Sequence, residues 1–223
     1  YRICPENKIV VIPLGFDLER FNTNKESKRI EFRKKWNLKE NEIAIGIIGR
    51  LVPIKNHMFF IDAIQKVLKK SEFPIRAFIV GDGEEKQNII NYIKSKNLDF
   101  SLDHTPATFN LTSWVKEIDR VNSGMDIICL TSLNEGTPVS LIEAQASGKP
   151  IVSTKTGGIK NIVLENKTAL LSEKNDLHNF SKNLLSLVND SEKRILFSKY
   201  GLEKSKDFHY DKLIDRMKKL YKI

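Results

Sequence analysis

The chain of 223 residues has two cysteines, Cys4 and Cys129, and they show no metal-ligand spacing. Its four histidines are dispersed, and no Asp-x-Asp occurs, so no cluster has metal-ligand character and no metal is expected. No apolar run approaches the roughly 18 residues that a membrane span needs. The opening YRICPENK lacks the layout of a signal peptide. There is no low-complexity tract. These absences fit a reduced, cytoplasmic protein. At 40% hydrophobic and 29% charged residues, the composition is that of a soluble globular domain.

What is plentiful is positive charge, with a formal net of +9. Lys25–Lys39 and Ser191–Ile223 each carry a net +5, and the rest of the chain is nearly neutral. Both segments read as amphipathic helices. Phe32 and Trp36 share one face, as do Leu213, Met217, Leu220 and Tyr221. Two uses of the charge are open: a solvated helix face, or peripheral contact with an anionic membrane leaflet on its cytoplasmic side. Nucleic acid is not expected as a partner, because no recognised nucleic-acid motif accompanies the charge.

Strand and helix patterns alternate along the chain. Strands are expected at Ile43–Ile48, Arg76–Val80, Ala107–Leu111, Ile127–Leu130, Ile151–Ser153 and Ala169–Leu171. Helices are expected at Asn56–Lys70, Glu84–Lys96, Glu117–Asn122, from Pro138, and around Leu177–Val188, with further helices closing the chain. That alternation predicts an α/β fold, a doubly wound parallel Rossmann-like sheet with helices on both faces. Such sheets bind ligands beyond the carboxyl ends of their strands. Cys129, within a buried strand, reads as a small buried hydrophobe, and His57 reads as a helix-surface residue.

The most informative segment is Asn134–Gly148, NEGTPVSLIEAQASG, directly after the apolar Ile127–Leu130. Gly136 permits a sharp turn, and Pro138 suits the first helical position. Free amides at that helix start, with the positive end of the dipole, favour a phosphate. Glu135 precedes the helix, and Glu143 falls on its second turn among apolar neighbours.

This segment resembles the Glu-x7-Glu motif of retaining, nucleotide-sugar-dependent glycosyltransferases of the two-lobed GT-B architecture, family 4 type. The match extends to IPLGFDLERF (12–21), similar to the family's linker signature, and GRLVPIKN (49–56), similar to its basic phosphate-binding loop. FIVGDGEE (78–85) and GKPIVSTKTGGIKNIV (148–163) resemble the turn and the glycine pair that complete the pattern, in the family's order. Two doubly wound domains do not fit into 223 residues. The resemblance therefore implies residues 1–13 as the tail of an N-terminal lobe with its linker, and 14–223 as the donor-nucleotide lobe.

By that resemblance, Arg50 and Lys55 grip the donor diphosphate. Gly136, Thr137 and Val139 offer amides to phosphate or sugar, and Glu143 accepts hydrogen bonds from the ribose. Glu135 stands beside the donor sugar as the catalytic acid, with capping of the Pro138 helix as its alternative. Trp114 and Val115 lie nearest the base, although Ser113 stands where a glycine is common. Gly49, Gly81, Gly83, Gly157 and Gly158 surround the donor pocket. The substrate implied is a nucleoside diphosphate sugar, UDP-sugar favoured, without a metal or other cofactor. The acceptor, a glycan or a lipid-linked one, would be held by the other lobe. A lobe of another GT-B enzyme, such as an epimerase or a phosphorylase, and a non-catalytic nucleotide-binding domain remain the alternatives.

Overall fold

A run of six residues without a single polar side chain, IAIGII at Ile43–Ile48, forms strand β1 and is buried along its whole length. A strand covered on both faces needs no alternation, and this one has none. The computed structural model describes residues 5–222; Cys4 and the first residues of the expected tail lie outside them. The remaining strands are β2 (Ile75–Val80), β3 (Phe100–Ser101), β4 (Phe109–Leu111), β5 (Ile127–Leu130), β6 (Ile151–Thr154) and β7 (Ala169–Ser172). All pair in parallel in the order β3-β4-β2-β1-β5-β6-β7. β3 has no counterpart in the sequence reading, because two residues are too few to show a period.

The helices are α1 (Glu19–Asn22), α2 (Lys25–Lys35), α3 (His57–Leu68), α4 (Lys86–Ser95), α5 (Ile118–Gly124), α6 (Val139–Ala146), α7 (Ile159–Ile162), α8 (Leu177–Asn189), α9 (Ser191–Ser205) and α10 (Tyr210–Tyr221). Successive residues of β1 serve opposite faces. Ile43, Ile45 and Ile47 pack with Phe60, Ile64, Ile89 and Phe180 of α3, α4 and α8. Ala44 and Ile48 pack with Phe32, Val121, Leu141 and Ile159 of α2, α5, α6 and α7. Burying each large side chain contributes about 1.5–3 kcal/mol, and two filled layers fix the doubly wound arrangement. Cys129 is buried in β5, and burial raises its thiol pKa.

The two basic segments differ. Lys28 pairs with Asp119 (2.9 Å), while Arg29 and Arg33 both reach Asp126 (2.7 and 3.3 Å). Part of the α2 charge therefore anchors α2 to the chain between α5 and β5. Trp36 lies just past the helix and is buried against Phe32 and Phe78. On α10, Leu213 is half-buried, whereas Met217, Leu220 and Tyr221 are exposed. No helix among the described residues is long and apolar enough to cross a membrane.

From β1 the chain crosses by α3 on one face to β2, and from β5 by α6 on the other face to β6. The sheet thus switches winding between β1 and β5, and a crevice opens where their carboxyl ends diverge.

Candidate functional site

Two loops meet at that crevice, and each rests on a glycine turn from the next strand outward. After β1, Gly49–Lys55 lies against the turn that follows β2. Gly81 has φ +139°, and a Cβ there would sit 2.0 Å from the Gly49 carbonyl oxygen. At Gly83 a Cβ would meet the Leu51 oxygen at 2.4 Å, and Leu51 N–H donates to Asp82 O (3.0 Å). After β5, residues 131–138 lie against the turn that follows β6. Gly157 has φ +50°, and its Cβ would come within 1.9 Å of the Glu135 carbonyl oxygen. Gly158 approaches Gly136 O in the same way (2.0 Å) and donates its N–H to Glu135 O (3.0 Å). Gly83, Gly136, Gly157 and Gly158 do not line the cleft; Gly83, Gly157 and Gly158 lie where they let one backbone rest directly on another.

The two loops are also tied to each other. Leu133 N–H donates to Ile54 O (2.8 Å), and Thr131 Oγ1 donates to Lys55 O (2.8 Å). Lys55 Nζ donates to Glu135 Oε1 (2.6 Å), and Ser132 Oγ donates to the same oxygen (2.5 Å). Lys55 is therefore held in place rather than freely solvated. Arg50, by contrast, is exposed and makes no ion pair among the described residues.

Four expectations need correction. Pro138 is the cap residue before α6 (φ −74°, ψ 90°) rather than its first helical residue, and no side chain caps the helix. Glu135 is held by Lys55 and Ser132 instead, so its capping alternative is not what the structure shows. Gly136 does not take a left-handed turn, and a Cβ on it would meet nothing within 4 Å. The turn does not need a glycine; the space above it is what a side chain would take. His57 is buried rather than on the helix surface, 2% exposed with no partner for Nε2. Thr131 donates to the carbonyls of Lys55 and Asn56, and Phe180 of α8 meets Phe59 of α3 edge to face. Burial, helped by the Lys55 charge, pushes the His57 pKa down to about 4, so it is neutral at pH 7.

The open space between the loops is a cleft of about 730 Å³. Gly49, Arg50, Lys55 and Gly81 line one side, and Glu135, Thr137, Val139 and Glu143 the other. Trp114 and Val115 close one end. Trp114 is 70% exposed and free to serve as a stacking face. Ser113 holds φ +56° without being a glycine. Its carbonyl accepts from Gly81 N–H (3.1 Å) and its hydroxyl from Lys86 Nζ (2.6 Å). Lys86 also reaches Asp82 (3.1 Å), which fixes the loop from below. Glu143 makes no ion pair among the described residues, so it is not spent on a helix salt bridge. Burial raises its pKa to about 7, against the opposing charge of Arg20 and with a smaller push from Asp119.

Sequence reasoning did not single out Ser132, which holds Glu135, nor Val52 and Ser140, which line the cleft. The only signal for Ser132 was its place in the polar pair Thr131-Ser132 that ends a buried strand.

The model of the family described as glycosyl transferases group 1 matches residues 28–204. The chain belongs to this family. It is 31% identical over 216 residues to a UDP-Gal:alpha-D-GlcNAc-diphosphoundecaprenol alpha-1,3-galactosyltransferase of Escherichia coli, covering 96% of this chain and 54% of that protein. The chain thus spans about half the length of the curated relatives it matches. Among solved structures, HepE of Anabaena in complex with UDP superimposes with a TM-score of 0.82 at 20% identity, over 96% of this chain and 57% of that one. The C-terminal domain of the glycosyl transferase group 1 protein LpcC from Francisella tularensis superimposes with a TM-score of 0.71 at 22% identity. That match takes in 86% of this chain and 97% of the Francisella one. These likenesses show the fold, a Rossmann-like GT-B lobe.

Proposed function

We propose that residues 14–223 form the donor-nucleotide lobe of a retaining, family 4 type glycosyltransferase, with residues 1–13 as linker from an acceptor-binding lobe. The observation that carries this reading is one cleft holding the unpaired Arg50, the Lys55–Glu135 pair, the uncapped start of α6 and the half-buried Glu143. A diphosphate fits its charge. Arg50 offers a planar fork and Lys55 a point charge, and the amides near Thr137 and Val139 add donors at the positive end of the α6 dipole. Glu143, in its ionised form, can accept from two ribose hydroxyls at once. Trp114 and Val115 would flank the base.

The reaction would break the bond between the anomeric carbon and the diphosphate oxygen. The leaving oxygen takes the electron pair, and Arg50, Lys55 and the helix start offset its charge. Glu135 would lie beside the sugar, hydrogen-bonding a hydroxyl and favouring the positive charge that develops at the anomeric carbon. The acceptor hydroxyl, glycan or lipid-linked, then bonds to the anomeric carbon with retained configuration, and its proton passes to the departing diphosphate oxygen. In this reading the two cations and the helix dipole do the work for which other transferases use a metal. A UDP-sugar is the favoured donor: the E. coli relative is named for UDP-Gal, and the Anabaena neighbour holds UDP.

Nucleotide binding needs this lobe alone, whereas transfer needs a closed cleft. Incubating the chain with UDP-galactose and supplied acceptors should therefore give binding and no product. Turnover by the chain as it stands would overturn the division of labour proposed for the two lobes.

A further inference from the structure

On the face of the sheet served by α3, α4 and α8, a groove of about 520 Å³ lies between the end of α3 and the start of α8. It shares no residue with the donor cleft. Lys66, Lys69 and Lys70 stand on one bank, and His178 and Lys182 on the other. No acidic residue lines it, and none of these lysines makes an ion pair among the described residues. On α2 the basic side chains Lys28, Arg29 and Arg33 each find a carboxylate. Lys25, Lys34 and Lys35 of α2 have none among the described residues, but in this groove four such lysines line one concavity, and like charges gathered in that way are relieved by an anion.

A second observation points the same way. Ser181 lines the groove from the second turn of α8, is 8% exposed, and its Oγ has no hydrogen-bond partner. A serine inside a helix ordinarily bonds back to a carbonyl one turn earlier, as Ser186 of the same helix does to Asn183 O (2.8 Å). A buried hydroxyl without a partner is costly. Ser181 would regain one by donating to an oxygen bound in the groove.

We propose that this groove is a second anion site, specific for a phosphate group, in which Lys69, Lys70 and Lys182 supply charge and Ser181 a directed hydroxyl. The phosphate can belong to a phospholipid headgroup or to a soluble phosphate compound. The site is independent of the donor cleft and stands whether or not that cleft binds nucleotide.

The test is an NMR titration of the 223-residue chain with inorganic pyrophosphate at low ionic strength, following the amides of Lys69, Ser181 and Lys182. Shifts at these amides are read separately from any at Arg50 or Thr137, so a response of the donor cleft is not mistaken for this site. Saturable shifts are expected. They should weaken about fivefold for each lysine removed in Lys69→Ala and Lys182→Ala, and roughly two- to tenfold in Ser181→Ala. Sedimentation with phosphatidylglycerol vesicles, against phosphatidylcholine, separates the two sources. Vesicle binding that is lost in the lysine variants assigns a lipid headgroup; pyrophosphate saturation without it assigns a soluble phosphate. Shifts that rise linearly without saturation, or that survive the lysine substitutions, would overturn the proposal. So would a response to polynucleotide alone.

Discussion

The two halves of the cleft are built alike and behave differently. In each, a loop bearing a charged residue lies backbone-to-backbone on a glycine turn: Gly49–Leu51 on Gly81 and Gly83, and Glu135–Gly136 on Gly157 and Gly158. The β1 half presents Arg50 to solvent without an ion pair, while the β5 half presents a carboxylate already tied to Lys55 from across the crevice. One glycine breaks the symmetry. Gly136 lends its carbonyl to the packing under Gly158, but a Cβ on it would meet nothing within 4 Å, so no close approach requires a glycine there. Glycines in matching loops are thus not equivalent: Gly81, Gly83, Gly157 and Gly158 are required by close backbone packing, and Gly136 is not.

The largest expected effect tests that division. Gly81→Ala and Gly157→Ala each combine a left-handed backbone with a Cβ inside 2.0 Å of a carbonyl oxygen. Together these should cost roughly 3–5 kcal/mol in urea unfolding. Gly136→Ala, with open space around its Cβ, should change stability by less than about 0.5 kcal/mol. Equal destabilisation by all three would mean that the open space at Gly136 has been misread.

Next come two shifted titrating groups, the half-buried Glu143 and the buried His57, whose signs are opposed. Glu143 has a folded pKa near 7 against an ordinary 4.5. The folded state therefore binds more protons, and the contribution of this group to stability falls as pH rises from 4.5 to 7. His57 has a folded pKa near 4 against 6.5, so its contribution is fully present above 6.5 and falls as pH drops through 4. Each spans up to about 3 kcal/mol, and the two offset each other between pH 4.5 and 6.5. Relative to the parent, Glu143→Gln should gain stability as pH rises through its window, and His57→Gln should lose it. Parallel curves for parent and variants would remove both groups from the account. If ionised Glu143 holds the ribose, nucleotide affinity should also rise from pH 6 to pH 8 and cease to do so in Glu143→Gln.

The sheet was legible because its central strands are unbroken apolar runs bounded by glycine or polar residues, and because the helices between them keep a clear stripe. The paired acids and the basic loop could be found because their spacing within one segment reflects a single loop-to-helix junction. What the sequence could not display was contact across distance. Lys55 and Glu135 are 80 positions apart, and nothing local says that one neutralises the other. His57 failed for the same reason. Its own helix pattern leaves it at the surface, whereas the start of α3 is tied to the β5 loop through Thr131 and packed on α8 through Phe59 and Phe180, both far along the chain. Ser113 shows the converse. It departs from the expected glycine yet takes the left-handed backbone regardless, held by Gly81 and Lys86.

The most direct test of the donor site is calorimetric titration of the chain with UDP, GDP and ADP, repeated on Arg50→Ala and Glu143→Ala. The account predicts saturable binding with a preference for one nucleoside diphosphate, UDP favoured. It also predicts that each substitution weakens binding, by about 1.5–3 kcal/mol for Arg50→Ala and about 1–3 kcal/mol for Glu143→Ala. No binding of any nucleotide at millimolar concentration, where the free energy is only about −4 kcal/mol, or binding indifferent to Arg50, would contradict it.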